Sequence, residues 1–357
     1  MINQKEITSK WINKISRANK NADKILVEKV IRAMLLLEGL AKQKIEFIFR
    51  GGTALMLHFN STKRLSIDID IVLPEKNKEL NSILDNVVKE QGFNKKELQI
   101  RTTSSGIIKS HYKFFYNPLY KTNKVEDYVL LDILFEKNNY QNIIQLPVTS
   151  VFVPIIDEPF LVNIPSLEDI LGDKLTAFAP NTTGIPYFKN KNSMSMEIIK
   201  QLYDVGNLFD RVENLNVIKN TFYKFVEAEL KYRSFIDYNK HDVINDIYQT
   251  ALTIASRGKE GKGNFEQLNL GIQRIKTYIF SESFNIEKAI VLASKAAYLA
   301  TLIKTNTEII EKYSNPLQMK DWIIDKRLNT KLNKLKKSNP EAFFYWYKIY
   351  QLKLKEN

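Results

Sequence analysis

The sequence predicts an α+β protein in two parts. In residues 1–160 a mixed sheet is flanked by helices, and residues 161–357 are all-helical. Two observations lead to this prediction. Residues 64–73 (RLSIDIDIVL) alternate polar and apolar side chains, which is typical of a strand. After Pro165, apolar residues recur at helical spacing instead.

Local patterns predict each element of the first part. Short β-rich or alternating runs predict strands at 45–50, 64–73, 98–103, 107–116 and 128–135. Apolar residues at helical spacing predict helices at 24–43 and 79–91, and the stretch ALMLHF after Gly51-Gly52-Thr53 predicts another.

The second part has the periodicity of a helical domain. Helices are predicted at 167–179, 196–210, 216–233, 243–256, 265–280 and 286–313. Between two of them, residues 257–264 (RGKEGKGN) resemble a phosphate-binding loop only superficially, because no Ser or Thr follows Lys262. We interpret this stretch as an ordinary loop.

Composition excludes several classes of chemistry. The 357 residues contain no cysteine and only three histidines, which excludes disulfides, thiolate nucleophiles and cysteine-based zinc sites. Metal chemistry would therefore depend on carboxylates, which favour hard cations such as Mg²⁺. No apolar run approaches the roughly 20 residues that cross a bilayer, and the N-terminus lacks the pattern of a secretory signal. We expect a cytoplasmic protein with no membrane segment.

The positive charge is unevenly distributed. The formal net charge is +13, and residues 312–357 contain eleven Lys or Arg against four Asp or Glu. This excess favours a polyanionic partner such as RNA. However, the same segment contains the aromatic run FFYWY at 343–347, which cannot all face one side of a helix. A packed terminal helix with a basic exterior is therefore the alternative interpretation.

Three aspartates form the candidate catalytic set. Asp68 and Asp70 fall on one face of the predicted strand 64–73, about 6 to 7 Å apart, where their charges repel unless solvent, a proton or a cation separates them. Asp132 lies alone in the apolar run VLLDILF, where a carboxylate requires a partner. The alternatives are a solvated strand face for the first two and an ion pair with a lysine for Asp132.

Small and polar residues accompany these acids. Gly51, Gly52 and Thr53 lie between a predicted strand and a helix, where backbone N–H groups can approach a phosphate and Thr53 adds a hydroxyl. Arg64 and Ser66 precede Asp68 on the acidic face. Three carboxylates on neighbouring strands beside a glycine turn suit two-metal phosphoryl transfer.

The part of the chain that contains these residues resembles a known family. The segment FRGGTALMLHFNSTKRLSIDIDIVL resembles the signature of the AbiEii/AbiGii toxins, nucleotidyltransferase-like proteins of the DNA polymerase beta type. The similarity extends to Asp132 in LLDILF, to Lys174 in LEDILGDKLTAF and to Asp204 in KQLYDVGNLFD, and covers residues 49 to 210. The 14-residue gap between Thr53 and Asp68 is slightly longer than in many members of the wider superfamily.

The resemblance implies a function and a set of roles. It implies a nucleotidyltransferase that uses two Mg²⁺ ions held by Asp68, Asp70 and Asp132 and transfers NMP from an NTP, with release of pyrophosphate. Lys174 would contact the triphosphate, and Asp204 would orient Lys174 or another basic group. The alternatives are a solvated Lys174 and an ion pair of Asp204 with Lys200. The biological role would be the toxin of a toxin–antitoxin, phage abortive-infection system.

The acceptor and the partners are the least determined part of this expectation. We expect an RNA acceptor, with the tRNA 3′ end as the leading candidate, and a cognate protein antitoxin encoded nearby. The alternatives are an enzyme that nucleotidylates a protein hydroxyl, and a catalytically silent module that binds RNA or the antitoxin.

Overall fold

The computed structural model describes residues 1–59, 63–76, 78–99, 108–120, 125–326 and 328–356. The chain divides into two compact units. The first comprises Met1–Ser166 together with Thr277–Ser283, and the second comprises Leu167–Lys276 together with Phe284–Asn357. The predicted strand 98–103 and the gap between Thr53 and Asp68 fall partly outside the described residues.

The first unit contains four α-helices and seven strands within the described residues. In chain order these are α1 (Ser9–Ala18), α2 (Lys24–Lys42), β1 (Ile48–Arg50), α3 (Gly51–Phe59), β2 (Ile69–Leu73), α4 (Leu80–Glu90), β3 (Lys95–Gln99), β4 (Lys109–Tyr116), β5 (Asp127–Phe135), β6 (Ile143–Pro147) and β7 (Leu161–Pro165). The strands form one sheet in the order β3-β4-β5-β2-β1-β7-β6.

The sheet is mixed, which confirms the predicted fold class. β2 pairs in parallel with β5 and β1 pairs in parallel with β7, while the other neighbours are antiparallel. β5 reads as alternating buried and half-exposed residues, as expected for a strand with one face on the core. Helix α2 is buried over most of its length, because apolar residues such as Val30, Met34 and Leu37 occupy successive turns.

The predicted strand at 64–73 is wrong in its first half. β2 begins only at Ile69, because backbone groups before it bond elsewhere. The N–H of Leu65 donates to the carbonyl of Tyr278 at 2.8 Å, and the carbonyl of Asp68 accepts from the Thr53 hydroxyl at 2.6 Å. Alternation therefore describes a true strand only from Ile69 onward, and Asp68 lies just before it.

In the part of the second unit that the structure describes, all elements are helical except one hairpin of two-residue strands. Its elements are α5 (Leu167–Ala177), β8 (Phe188–Lys189), β9 (Asn192–Ser193), α6 (Ser195–Phe209), α7 (Leu215–Tyr232), α8 (Lys240–Ala255), α9 (Phe265–Arg274), α10 (Ile286–Thr305), α11 (Leu335–Ser338) and α12 (Pro340–Glu356). The helical second part of the predicted fold is thus confirmed from Leu167 onward, whereas residues 161–165, which were predicted to belong to it, form β7 of the sheet. None of the helices in the described ranges has the length and hydropathy to cross a bilayer.

Two of the predicted helices are too long. The helix expected at 265–280 ends at Arg274, and residues 277–283 belong to the first unit, where Phe280 packs edge-on against Phe152. The helix expected at 286–313 ends at Thr305 because Asn306 adopts a left-handed conformation (φ 57°) that caps it. Tertiary contacts and a local cap, which periodicity does not report, set both ends.

The aromatic run before the C-terminus belongs to a packed helix. In α12 the side chains of Phe343, Phe344, Tyr345 and Trp346 are all buried. Burial raises the pKa of the Tyr345 phenol well above its ordinary value. These rings therefore form part of the core of the second unit, as the packed-helix interpretation expected.

Candidate active site

Four strands place charged and titratable side chains in one row across the sheet. In the parallel register of β2 and β5, Asp70 lies directly beside Asp132. On the outer sides, β1 places Arg50 opposite Asp70, and β4 places His111 opposite Asp132. Cross-strand partners share one face of a sheet, so the row is Arg50, Asp70, Asp132 and His111.

Asp132 is held by the histidine beside it. The Nδ1 atom of His111 lies 2.6 Å from Oδ1 of Asp132, and because an ionised carboxylate only accepts, Nδ1 is the donor. The His111 side chain is 13% exposed and that of Asp132 is 31% exposed. The contact fixes one oxygen of Asp132, whose side chain still reaches solvent.

Gly51 brings the start of α3 against Asp70. Its φ of +81° lies in the left-handed region, and a Cβ at this position would overlap Oδ2 of Asp70 and lie 2.9 Å from Cγ. No other residue type fits this close approach without displacement. The glycine therefore lets the N-terminus of α3 lie beside the carboxylate row.

We expect Gly51→Ala to disturb the site more than the fold. The added methyl group would force the Asp70 carboxylate to move, because α3 and β2 hold the two backbones, and the strained φ adds a cost of about 1 to 2 kcal/mol. We expect nucleotidyl transfer to fall by more than about tenfold, as a misplacement of about 1 Å is sufficient for such a loss. Steady-state rates would be compared with the melting temperature.

Gly92→Ala is the matched control for that variant. Gly92 also has a positive φ, at +69°, but among the described residues the only neighbour of a Cβ built there within 4 Å is a side-chain atom of Gln4 at 3.9 Å. The control includes the backbone strain without any contact to the carboxylates. Equal activity of Gly51→Ala and Gly92→Ala would contradict the role assigned to Gly51.

Two of the predicted phosphate-binding side chains lie against Gly52. A Cβ at Gly52 would lie 2.7 Å from Nη2 of Arg64 and 2.8 Å from Oγ of Ser66, so the guanidinium and the hydroxyl both lie against this turn. Thr53 is fully buried, and its hydroxyl donates to the carbonyl of Asp68. In this structure Thr53 thus fixes the segment leading into β2, and its own N–H belongs to the first turn of α3.

A small cavity adjoins the carboxylate row. It measures about 100 Å³ and is lined by Arg50, Asp70, Ile71, Lys109, His111, Asp132, Ile133 and Leu134. Its volume accommodates a few water-sized groups, each of about 30 Å³, and is too small for a whole nucleotide. The lining includes the two carboxylates together with two further basic side chains, Arg50 and Lys109.

The carboxylate pair fits the way proteins bind Mg²⁺. Among the residues that the structure describes, no group of three or more His, Asp or Glu side chains is arranged to hold a metal ion by itself. Mg²⁺ commonly takes only one or two carboxylates and completes its shell with water and substrate phosphates. Asp70 and Asp132 meet that requirement, with Asp68 two residues before Asp70.

Lys174 and Asp204 form a buried ion pair in the second unit. Nζ of Lys174, on α5, lies 2.8 Å from Oδ2 of Asp204, on α6, and the two residues are 5% and 3% exposed. Lys174 also donates to Oε1 of Gln201 at 3.3 Å, while Lys200 lies 3.5 Å from Glu197. Lys174 is therefore buried and paired with Asp204, not solvated.

Sequence reasoning missed the basic residues around the carboxylates. No motif in the sequence distinguishes Arg50, Lys109 or His111 from the other basic residues of the predicted strands. Because β4 and β5 follow one another in the sequence, their pairing was to be expected. Alternation alone does not fix the register that places His111 opposite Asp132.

Comparison with known proteins identifies the family of this chain. A family model described as "Nucleotidyl transferase AbiEii toxin, Type IV TA system" matches residues 35–274. Among solved structures, the chain is similar to an H. pylori protein crystallised as a candidate nucleotidyltransferase (16% identity, TM-score 0.44, 80% of this chain and 96% of that chain). It is also similar to JHP933 from Helicobacter pylori (17% identity, TM-score 0.42, 78% and 90%). A comparison with the curated proteins found no match.

Proposed function

The chain belongs to the AbiEii family of nucleotidyl transferase toxins of type IV toxin–antitoxin systems, and from this premise we propose its reaction. We propose that it is a Mg²⁺-dependent enzyme that transfers NMP from an NTP to a hydroxyl of an RNA, with release of pyrophosphate. The observation that supports the proposal most strongly is the in-register pair of Asp70 and Asp132 beside Gly51 at the start of α3.

The carboxylates supply the catalytic part of this proposal. Asp68, Asp70 and Asp132 would hold the divalent cations, which when bound offset the charge of the triphosphate and acidify the attacking hydroxyl. Asp132 would accept the proton of that hydroxyl, because its side chain is 31% exposed and His111 holds its other oxygen. Asp70 is fixed by its position between β1 and β5.

The turn before α3 supplies the phosphate-binding part. The backbone N–H groups of Gly52 and Thr53 lie in the first turn of α3, where the helix dipole favours negative charge. Arg64 and Ser66 lie against Gly52 and would contact the same phosphates. We include Lys174 in this role as a point charge, positioned by Asp204 at 2.8 Å.

The acceptor and the biological role complete the proposal. We propose an RNA acceptor, with a tRNA 3′ end as the leading candidate, because a net charge of +13 favours a polyanion. Modification of such an RNA would inhibit growth, and relief by an antitoxin would follow the pattern of the family. Growth arrest during phage infection is the expected context.

Incorporation of labelled nucleotide tests the reaction directly. Each of the four α-labelled NTPs would be incubated with the protein, with and without total RNA, and with and without Mg²⁺. We expect Mg²⁺-dependent label in RNA for at least one NTP. Label in lysate protein and none in RNA would instead indicate protein nucleotidylation, and no label together with no NTP binding by calorimetry would indicate a silent binding module.

We expect His111 to act as a positioning residue for Asp132. His111→Gln displaces the donor from the carboxylate, whereas in His111→Asn the amide nitrogen occupies about the position of Nδ1 and keeps the hydrogen bond. Loss of such a supporting contact typically weakens metal affinity about 10- to 100-fold. The Mg²⁺ concentration that gives half-maximal transfer should therefore rise for His111→Gln and change little for His111→Asn. Identical Mg²⁺ dependence of both variants and the wild type would contradict this role.

A further inference from the structure

A second cavity lies within the second unit, formed by two segments that the reaction does not use. It measures about 290 Å³ and is lined by Ala255, Ser256, Arg257, Lys259, Asn329, Lys331, Leu332, Lys334, Leu335 and Ser338. One wall is the end of α8 with the turn RGKEGKGN, and the other is the lysine-rich segment before α12. We call this cavity the basic pocket.

The basic pocket combines an apolar floor with a cationic rim. Ala255, Leu332 and Leu335 are buried. The lining also includes four exposed basic residues, Arg257, Lys259, Lys331 and Lys334, and no acidic residue from the described ranges. An apolar floor accepts the face of a planar base, and a cationic rim attracts phosphate. The pairing of these two properties fits a nucleotide better than a simple anion or an apolar ligand.

Hydrogen bonds fix the turn that forms the first wall. The Ser256 hydroxyl accepts from the N–H of Glu260 at 2.9 Å and donates to its carbonyl at 3.0 Å, which closes the turn. The N–H of Gly258 donates to the carbonyl of Thr253 at 2.8 Å. This bond satisfies one of the terminal carbonyls of α8, whose partial negative charge would otherwise oppose an anion.

The second wall is held to the first. Asn329 caps the 3₁₀ turn Thr330–Lys334 by accepting from the N–H of Lys331 at 3.0 Å. The Lys331 ammonium is ion-paired with Glu260, so a charged contact joins the two walls. The pocket therefore exists before any ligand binds, which lowers the entropy cost of binding.

Two rim lysines keep their charge available for a ligand. Arg257 pairs with Glu287 and Lys331 pairs with Glu260. For Lys259 and Lys334, the described part of the chain supplies no acidic partner, and both side chains are exposed. A phosphate at the rim would meet these two ammonium groups without displacing an existing ion pair.

We propose that the basic pocket binds one nucleotide of a single-stranded segment of RNA. The base lies on Leu332 and Leu335, and the flanking phosphates contact Lys259 and Lys334. A volume of about 290 Å³ is close to the lower limit of about 300 Å³ for small-molecule sites, so one nucleotide enters and a folded element does not. That this RNA is the acceptor of the reaction rests on the proposed function.

Fluorescence anisotropy with a labelled oligoribonucleotide tests the pocket. A single strand of roughly ten nucleotides would be titrated with the full chain at several salt concentrations. For Lys259→Ala/Lys334→Ala we expect weaker binding and a salt-dependence slope that is smaller in magnitude by about 1.4, since each phosphate contact on a single strand contributes about 0.7.

A matched pair of lysines controls for net charge. Lys224 and Lys231 are exposed residues of α7 that do not line the pocket, so Lys224→Ala/Lys231→Ala removes the same charge. We expect the control to bind RNA as the wild type does. Equal losses in both double variants would show that only overall charge matters and would overturn the proposal.

Photo-crosslinking locates the bound base. With 4-thiouridine in the oligonucleotide, we expect crosslinks in peptides that contain Leu332 or Leu335. Crosslinks confined to other peptides would overturn the proposal. Salt-sensitive binding to phosphatidylserine vesicles without RNA binding would also overturn it, in favour of a lipid surface.

The binding assays need no catalysis, so the two proposals fail separately. If RNA binding depends on Lys259 and Lys334 but no nucleotide is ever incorporated, the reaction is wrong and the pocket stands. If nucleotide is incorporated into RNA while both double variants bind and react like the wild type, the pocket is wrong and the reaction stands.

Discussion

Replacing Asp70 by asparagine is expected to reduce nucleotidyl transfer about a thousandfold while the protein remains folded. Asparagine keeps the shape of the side chain but removes the charge beside Asp132, and with it a carboxylate that we propose binds Mg²⁺. Loss of one group that stabilises transition-state charge typically costs about a hundred- to a thousandfold. Rates of incorporation of labelled nucleotide into RNA would be measured at saturating Mg²⁺.

The control for this variant is an exposed carboxylate outside the row. Asp157→Asn removes the same charge from an exposed aspartate of the first unit. We expect wild-type activity for Asp157→Asn and unchanged melting temperatures for both variants. Transfer by Asp70→Asn at the wild-type rate would contradict the central assignment of the site. An equal fall in melting temperature in both variants would show that the loss of a negative charge, and not its position, destabilises the protein.

Replacing Asp204 by leucine is expected to lower the free energy of unfolding by about 3 to 5 kcal/mol. The change leaves the Lys174 ammonium buried without its carboxylate, and Gln201 supplies only a neutral acceptor. Urea denaturation would measure the loss. As a control, Glu197→Gln breaks the partly exposed contact of Lys200 with Glu197 on α6 and should cost no more than about 1 kcal/mol.

A double variant separates the structural role of this pair from its proposed catalytic role. Lys174→Met/Asp204→Leu replaces both charges by apolar side chains of similar volume, which commonly restores most of the stability. If Lys174 contacts the triphosphate, transfer should remain low in the refolded double variant. A double variant that is both stable and fully active would show that the pair serves only the packing of α5 on α6.

The sequence by itself determined much of the fold and the identity of the acidic residues. Period-two alternation in β5 and helical periodicity in α2 follow directly from burial of one face, and the structure confirms them. The spacing of Asp68 and Asp70 and the glycine turn before α3 were readable because they are local. The family assigned from residues 49 to 210 is confirmed by the model that matches residues 35–274.

Other features depend on contacts between residues far apart in the chain. The segment before β2 is not a strand, because the N–H of Leu65 donates to the carbonyl of Tyr278, which lies more than 200 residues later in the chain. Alternation does not fix the register between two strands. The register in the structure places Asp70 beside Asp132 and His111 opposite Asp132.

The surroundings of the charged side chains also depend on contacts between distant residues. Sequence alone indicated a basic C-terminal segment, but only the tertiary structure showed that Lys334 and Lys259 line the same cavity. Likewise, a lysine on a mixed helix face reads as solvated until its burial against Asp204 is seen. Periodicity reports which side of an element is buried, whereas the partner on that side is chosen by packing between elements, which no local pattern encodes.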